Sequence, residues 1–224
     1  MPLLGSAAMV LSFDIAPEAI AEHDDWHTHE HLPERLSIPG FLRGSRWVAS
    51  RGEPRYMVLY EVRELATLTS AAYLERLNNP SPWTSKMMPH YRGMRRGLCA
   101  VAGSVGFGMG NATHVFRFKP REEPAASLRS WLLQEVLPTI PPRRGIGSAH
   151  LLEGASAAPM TNEQRIRGAD AGVDSVLLIM GYDAEALCEL SQDMRHELER
   201  RGATEVSDGL YRIDYTLAHD ELDT

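Results

Sequence analysis

The alternation of apolar and polar positions divides the first half of the chain into strands and helices. Short apolar runs between turn residues predict strands, and apolar positions recurring every three or four residues predict helices. The predicted strands are 8–15, 41–50, 55–62 and 98–106, and the predicted helices are 17–36 and 65–77. The resulting order, β-α-β-β-α-β, is the split β-α-β pattern of ferredoxin-like folds.

The second half of the chain repeats this order of elements. Its predicted strands are 113–119, 146–153, 175–182 and 209–217, and its predicted helices are 126–137 and 184–201. A motif, W-x3-E-x-L-P-x6-G, occurs at residues 26–40 and again at 131–145, a shift of 105 residues. We interpret the chain as an internal duplication with halves 1–110 and 111–224.

The strands carry apolar residues on both faces, since Val58 and Tyr60 alternate with Met57 and Leu59. Two helices can cover only one face of each four-stranded sheet, so the other face needs a partner. We therefore predict an α+β fold in which two tandem ferredoxin-like units close face to face into one pseudo-symmetric barrel. The helices are expected outside and a cavity between the sheets.

Three segments break the match between the halves. Residues 78–96 lengthen the approach to the last strand of the first half and are expected to form a lid or a pocket wall. Residues 154–172 lengthen the hairpin of the second half and are predicted to be a mobile loop. The glycine-rich residues 103–110 lead into a strand rather than a helix, which favours a linker over a phosphate site.

Composition narrows the classes of partner. The 224 residues carry a net charge of −7, which argues against binding to nucleic acid. The two cysteines, Cys99 and Cys188, are not spaced as a metal or redox motif and are expected to be reduced thiols. No apolar run approaches the length of a membrane span, so we expect a cytoplasmic protein with no membrane partner. Self-association into a homodimer stays open.

Residues 25–35, DWHTHEHLPER, followed by IPGF at 38–41, resemble the W-x3-EH-x-P-x-R…PGF signature of EthD-like proteins. These belong to the dimeric α+β barrel superfamily, which also contains muconolactone isomerases, small polyketide cyclases, antibiotic-biosynthesis monooxygenases and some haem proteins. Most such proteins are single units that pair, whereas this chain resembles a fused pair. The resemblance implies the fold, and a superfamily with so many chemistries implies no single reaction.

A stripe of histidines distinguishes the first half from the second. His23, His27 and His31 share one helix face, and the equivalent positions in the second half are Leu128, Leu132 and Val136. Either the rings form a polar seam satisfied by neighbouring carboxylates and arginines, or they border a cavity. In the second case His27 or His31 is the catalytic acid or base, titrating near neutral pH. His31 is expected to matter most, and His23, nearest the helix start and water, least.

A metal site is the third reading of the stripe. Residues 27–31 spell HxxEH, as in some zinc peptidases, but Pro33 follows at once and no second helix offers a clear carboxylate ligand. Glu30 recurs as Glu135 in the half without histidines, so we expect a structural role, pairing with Arg35, Arg46 or the backbone. We predict no metal ligand and no cofactor, and none of the nine histidines is singled out as a haem ligand.

Five further residues are predicted to bind substrate. Arg46 and Trp47, which become Leu151 and Leu152 in the second half, are candidates to hold an anionic group and to stack on a ring. Tyr60, His90 and His150 are the other candidates to face the cavity.

The predicted function is binding of a small molecule. The favoured reaction is of the isomerase or cyclase type, with histidine-based proton transfer on an aromatic or polyketide-like substrate. A non-catalytic ligand carrier or sensor is the alternative, and a haem-dependent or metal-dependent monooxygenase-like protein is a further one. Whether the chain is catalytic at all is left open by the sequence.

Overall fold

In the computed structural model the strands form one closed antiparallel barrel, in the order β1-β3-β2-β8-β5-β7-β6-β4. The structure describes residues 3–121, 125–155 and 160–222. The strands are β1 (Ala7–Ile15), β2 (Phe41–Gly52), β3 (Tyr56–Val62), β4 (Tyr91–Gly106), β5 (Ala112–Pro120), β6 (Ile146–Gly154), β7 (Ser175–Gly181) and β8 (Ala203–Ala218).

Each half contributes four neighbouring strands in the same internal order, β4-β1-β3-β2 from the first and β8-β5-β7-β6 from the second. The halves are joined by two antiparallel pairs, β2 with β8 and β4 with β6. Closure leaves no strand edge free, which removes the usual site of edge-to-edge association. The predicted fold of two ferredoxin-like units closing into a pseudo-symmetric α+β barrel is confirmed.

The helices lie outside the barrel, as predicted, and the first helix of each half contains a π-helical turn. These turns cover His27–His31 and Leu132–Val136, the same positions in the two halves. The helices are α1 (Ile20–Trp26), α2 (Leu32–Leu36), α3 (Ala71–Asn78), α4 (Pro82–Met87), α5 (Ala125–Trp131), α6 (Leu137–Thr139), α7 (Asn162–Arg167) and α8 (Ala184–Arg200). Of the helices in the described ranges, none is both long and apolar enough to span a membrane.

The segments predicted to interrupt the fold are more regular than expected. The segment 78–96 contains α4 and the start of β4, because Tyr91 already pairs with Ile15 of β1. Gly103 to Gly106 are part of β4 rather than a linker, since they pair with β6. The segment 154–172 contains α7, which a Thr161–Gln164 capping box begins. Residues 156–159 of that predicted loop lie outside the described residues.

The last glycine of the repeated motif makes the same turn in both halves. Gly40 and Gly145 have φ values of 94° and 85°, in the left-handed region that side chains rarely adopt. A Cβ would also lie 2.8 Å from Thr67 Oγ1 at Gly40 and 2.6 Å from Ala186 Cβ at Gly145. Both conformation and space therefore require glycine where helix turns into strand.

The barrel interior is filled by side chains. Along β1, Met9 and Leu11 pack toward the helices, while Ala8 and Val10 point inward and join residues from strands of both halves. The inward core consists of Leu3, Ala8, Val10, Trp47, Met57, Leu59, Cys99, Val115, Leu152, Val176, Leu178, Met180 and Tyr211. The prediction of a cavity between the sheets is therefore wrong, because large residues from facing strands meet on the barrel axis.

Candidate functional site

The three stripe histidines lie in file between the first helix and the outer face of the first-half sheet. All three are buried, and consecutive ring centroids are 5.5 Å and 5.6 Å apart. On a regular α-helix, residues four apart overshoot a full turn by roughly 40°. The wider π-helical turn over His27–His31 offsets that drift and keeps the third ring in line with the first two.

Burial keeps His27 and His31 neutral. It lowers the pKa of each ring well below its ordinary value, and nearby positive charge lowers it further, with Arg35 the largest such contribution at His31. The expectation that these rings titrate near neutral pH is therefore wrong. At pH 7 each has a free lone pair on one nitrogen and is able to accept a proton.

A small polar cavity lies at the His31 end of the file. Its volume is about 20 Å³, room for one water molecule. His31 Nδ1 and the Tyr60 hydroxyl, both buried, have no hydrogen-bond partner among the described residues. The cavity is lined by Met9, Leu11, His31, Arg35, Tyr60, Tyr73, Leu77, Arg96, Thr161, Glu163, Gln164 and Arg167. His31 and Tyr60 therefore line one small cavity, and each has a buried polar atom without a partner in the described structure.

Helix α7 covers this cavity and is held there by charge. Arg35 and Glu163, both buried, form an ion pair that joins α2 to α7, and Glu34 also accepts from Arg35 at 3.1 Å. These carboxylates raise the pKa of the Arg35 guanidinium against the opposing effect of burial. At the start of α7, Asn162 makes two hydrogen bonds to Asn78, the last residue of α3.

Asn162 is the donor in both of its hydrogen bonds to Asn78. The Asn162 backbone N–H donates to Asn78 Oδ1 at 3.1 Å, and Asn162 Nδ2 donates to the Asn78 carbonyl at 2.6 Å. In both bonds Asn162 is therefore the donor and Asn78 the acceptor. Together with the Arg35–Glu163 pair, these bonds attach α7 to the first half at two points.

The other end of the file reaches a network at the surface. His23 Nδ1 donates to Asp24 Oδ1 at 3.1 Å, and the Tyr56 hydroxyl donates to the same oxygen at 2.8 Å. These bonds outweigh burial and hold the pKa of Asp24 below its ordinary value. The expectation that His23 lies near water is wrong: its ring is fully buried, and the Asp24 carboxylate is the partly exposed group.

Arg46 lies beside this network and is engaged by the protein itself. Its Nε donates to Asp214 Oδ2 at 2.7 Å, and Nη1 donates to the Asp24 carbonyl at 3.0 Å. The proposed anion holder therefore already has protein acceptors and does not line the cavity beside His31.

Glu30 is structural, with partners other than those expected. It accepts from Trp26 Nε1 at 3.0 Å, from Ser81 Oγ at 2.5 Å and from Thr84 Oγ1 at 3.2 Å. The arginines named as its partners are engaged elsewhere, Arg35 by Glu34 and Glu163. Glu30 thus attaches the π-helical turn to α4 and is unavailable as a metal ligand.

The remaining predicted site residues lie apart from His31. Trp47 and His150 point into the barrel, His150 between Ser104 Oγ at 2.9 Å and Ser148 Oγ at 3.1 Å. His90 is half-buried at the end of the turn that follows α4. Of the five predicted substrate-binding residues, the structure brings only Tyr60 to the cavity beside His31.

Replacing His150 by serine is expected to make the protein less sensitive to acid. Burial lowers the pKa of His150 to about 3, with a smaller contribution from Arg43. Below pH 6.5 the unfolded chain gains a proton on this ring that the folded chain does not. The free energy of unfolding therefore decreases as the pH is lowered. When the pH is lowered from 7 to 5, the free energy of unfolding measured with urea should decrease by about 2 kcal/mol less in His150→Ser than in the wild type. Equal losses would contradict this assignment.

The stripe histidines are not clustered as metal ligands are. Within the described ranges, no three or more His, Cys, Asp or Glu side chains are placed to hold a metal ion. With α7 in the position described, the free volume of about 20 Å³ beside His31 has room for one water molecule and for neither haem nor an aromatic substrate.

The cavity also contains residues that sequence reasoning did not select. These are Tyr73, Arg96, Glu163 and Arg167, and the last three come from the two insertions. The T-x-x-Q capping box at Thr161 could have indicated that a helix begins there. Nothing in the local sequence indicates that Glu163, the second residue of that helix, would pair with Arg35, 128 positions earlier.

Comparison with solved structures identifies the fold. An anthrone oxidase-like protein superposes with a TM-score of 0.67 at 12% identity, over 98% of this chain and 96% of the other. A candidate monooxygenase from Fusobacterium nucleatum gives 0.59 at 8% identity, over 96% of both chains. A chlorite dismutase mutant from Candidatus Nitrospira defluvii gives 0.56 at 13%, over 98% and 94%.

These similar structures are dimeric α+β barrels, and at such low identity they show a common fold alone. No protein-family model and no curated protein matches the sequence.

Proposed function

We propose that this chain is an enzyme that removes a proton from carbon in an aromatic or polyketide-like small molecule, with His31 as the base. The observation that carries the proposal is that His31 and Tyr60 line one cavity, while His31 Nδ1 and the Tyr60 hydroxyl are buried without a partner among the described residues. Buried polar groups normally have partners, and unsatisfied ones concentrate where a ligand supplies them.

The two groups suit opposite ends of an enolisation. Neutral His31 takes the proton from a carbon beside a carbonyl, and the C–H electron pair moves into the carbonyl to give an enolate. Burial raises the pKa of the Tyr60 hydroxyl, so it stays protonated and donates a hydrogen bond to the enolate oxygen. Return of the proton from His31 to another carbon completes an isomerisation. Alternatively, the enolate attacks a carbonyl of the same molecule, and the resulting alkoxide takes the proton back from His31, which completes a cyclisation.

Substrate entry requires α7 to move, because the enclosed volume admits only a water molecule. Helix α7 has six residues and is attached through the Arg35–Glu163 pair and Asn162, so it is suited to act as a hinged cover. Arg96 and Arg167 lie on the cavity wall and place positive charge near a developing enolate.

We also infer that the chain is a tandem-duplicated EthD-like protein, with halves 1–110 and 111–224. Support comes from the motif at 26–40 and 131–145, and from π-helical turns at the same two places within it. Gly40 and Gly145 end the motif with the same backbone conformation. The first half has the histidines, and the second has hydrocarbon at their positions, so the reactive site is assigned to the first half.

A non-catalytic carrier or sensor is the second candidate. The observation that favours it is the closed cover over a polar cavity, which suits slow release of a ligand. A carrier binds one equivalent and returns it unchanged, whereas the proposed enzyme exchanges many protons per chain.

Deuterium exchange into anthrone tests the proposed reaction. Anthrone is a carbon acid, and one of the similar structures is that of an anthrone oxidase-like protein, so anthrone is a suitable first probe. Wild-type protein in D₂O buffer under argon is expected to speed deuterium incorporation at the methylene carbon, measured by mass spectrometry. Because burial lowers the pKa of His31, the enhancement should persist as the pH falls below 6.5.

Two results would count against the proposal. Exchange no faster than with heat-denatured protein, for anthrone and for a panel of β-dicarbonyl and hydroxyaromatic carbon acids, would overturn it. Saturable binding of one of these compounds without exchange would support the carrier instead. Repeating the reaction in air and following anthraquinone by absorbance shows whether the carbanion goes on to react with oxygen.

A further inference from the structure

One end of the barrel interior contains hydrogen-bond donors without acceptors. Arg117 Nε and Nη1, Trp47 Nε1 and Ser12 Oγ have no hydrogen-bond partner among the described residues. The three residues are 6%, 0% and 1% exposed, so water outside the barrel does not satisfy them. They lie in the barrel, on the opposite side of the sheet from the His31 cavity.

The donors lie at the same end of the barrel. Four antiparallel pairings separate β1 from β5, so the two strands run in the same direction. Ser12 follows the inward Val10 by two residues, as Arg117 follows the inward Val115, which places both side chains inside and toward one end. Trp47 is on that level too, because Trp47 and Ser12 pair with the same residue of β3, Met57.

Tyr211 connects Arg117 to this end of the first half. Arg117 Nη2 donates to the Tyr211 hydroxyl at 2.8 Å, and that hydroxyl donates to the Pro54 carbonyl at 2.9 Å in the β2–β3 hairpin. The guanidinium carbon also lies 5.5 Å from the centre of the Tyr211 ring. These contacts hold the guanidinium in place while leaving two of its nitrogens unsatisfied.

The chemistry of the orphaned groups favours an anion. Arginine stays charged in proteins, and a buried charge without a partner is unfavourable. In the described part of the chain, no carboxylate accepts a hydrogen bond from Arg117. Indole and guanidinium N–H groups only donate, and a serine hydroxyl is able to donate, so a group that only accepts would satisfy all of them.

A cavity of about 30 Å³ lies against Arg117 at the barrel mouth. Its charged lining residues are Arg95, Arg117, Lys119, Asp174 and Glu205, three cations against two carboxylates. Ser175 and Ser207 add hydroxyls. The volume limits an occupant to a few atoms, and the balance of charge favours a negative one.

We propose that this end of the barrel binds a small monovalent anion, the size of chloride, formate or acetate, held by Arg117. Trp47 and Ser12, which do not line that cavity, are further donors without partners at the same level of the interior. The site is separate from His31 and does not depend on the reaction assigned to that residue. The bound anion stabilises the barrel by neutralising Arg117, the one arginine among the inward residues of β5.

Thermal unfolding at constant ionic strength tests the proposal. Sodium gluconate, whose anion is too large for the cavity, is the background salt, and chloride, formate or acetate replaces it stepwise. Wild-type protein should show a saturable rise in Tm with at least one of the three, about 5–10 °C at a hundred-fold excess over Kd. A rise in Tm with chloride but not with formate or acetate indicates that the site binds an inorganic ion. A rise with formate or acetate but not with chloride indicates that it binds an organic acid.

Two matched variants assign the effect. Arg117→Met, which keeps the length but removes the charge, should lose the dependence, whereas Arg144→Met, at an exposed arginine, should keep it. If Arg117→Met does not fold, Trp47→Phe removes a single donor and should raise the anion concentration at half-effect about fivefold. A wild type whose Tm does not respond to any of the three anions would overturn the site, as would equal responses in wild type, Arg117→Met and Trp47→Phe.

Discussion

Replacing His31 by valine is expected to lower the rate of carbon deprotonation by about 10²–10⁴-fold, the usual contribution of a general base. The Tm should stay the same or rise. Val136 occupies the equivalent place on the π-helical turn of the second half, so valine suits the backbone there. The change also removes a buried ring nitrogen that has no partner in the described structure, and with it the cost of its desolvation.

The matched control is His29→Ala, on the same π-helical turn but exposed to solvent. It should retain both exchange rate and Tm. Deuterium incorporation, circular dichroism melting and ligand thermal shift on the same preparations separate the possibilities. A large fall in Tm of His31→Val with the rate per folded molecule unchanged would show that the ring belongs to a structural seam and refute its role as base.

Replacing Glu163 by glutamine is expected to lower the free energy of unfolding by about 3 kcal/mol. The substitution leaves the Arg35 guanidinium buried beneath α7 with one carboxylate partner fewer. This loss of stability is at the low end of the range expected when a buried ion pair is broken, because Glu34 still accepts from Arg35 at 3.1 Å. In a chain of this length it corresponds to a fall in Tm of about 6–12 °C.

Two further variants test the cause. The double variant Arg35→Met/Glu163→Gln removes the stranded charge and should recover most of the lost stability, because a hydrophobic replacement of a buried pair is often neutral. Glu197→Gln, which breaks pairs with Arg200 and Arg201 at the surface, should leave Tm unchanged. Hydrogen exchange should show faster exchange in α7 of Glu163→Gln. Unchanged protection there and unchanged Tm would mean that the pair does not attach the cover.

The order of strands could be predicted because it depends on patterns within each segment. Alternating apolar residues, the 105-residue shift and the turn glycines Gly40 and Gly145 are all visible locally. The π-helical turn at His27–His31 was not predicted, since its residues have the same spacing a regular helix would give. The burial of His23 was missed as well, because the Asp24 carboxylate that accepts from its Nδ1 is held in place by the Tyr56 hydroxyl of β3.

The candidate site was predictable only in part. His31 stood out because the halves could be compared position by position, whereas Tyr60 was selected only as a hydroxyl able to face a cavity. The cover could not be found that way, since α7 has no counterpart in the first half and its attachment pairs Glu163 with a residue 128 positions away. The location of the cavity, outside the sheet rather than between the sheets, depended on the sizes of residues such as Trp47 and Tyr211 meeting inside.

Having both halves in one continuous chain allows an inward position to be charged in one half and uncharged in the other. In a barrel built from two identical chains, each inward residue occurs twice, related by the two-fold axis. An arginine at the level of Arg117 would then face a second arginine across the narrow interior, and the two cations would repel each other. Here the equivalent position is Ser12, so β1 has a hydroxyl at the level where β5 has a guanidinium. Covalent linkage thus permits a polar interior that exact symmetry would make unstable.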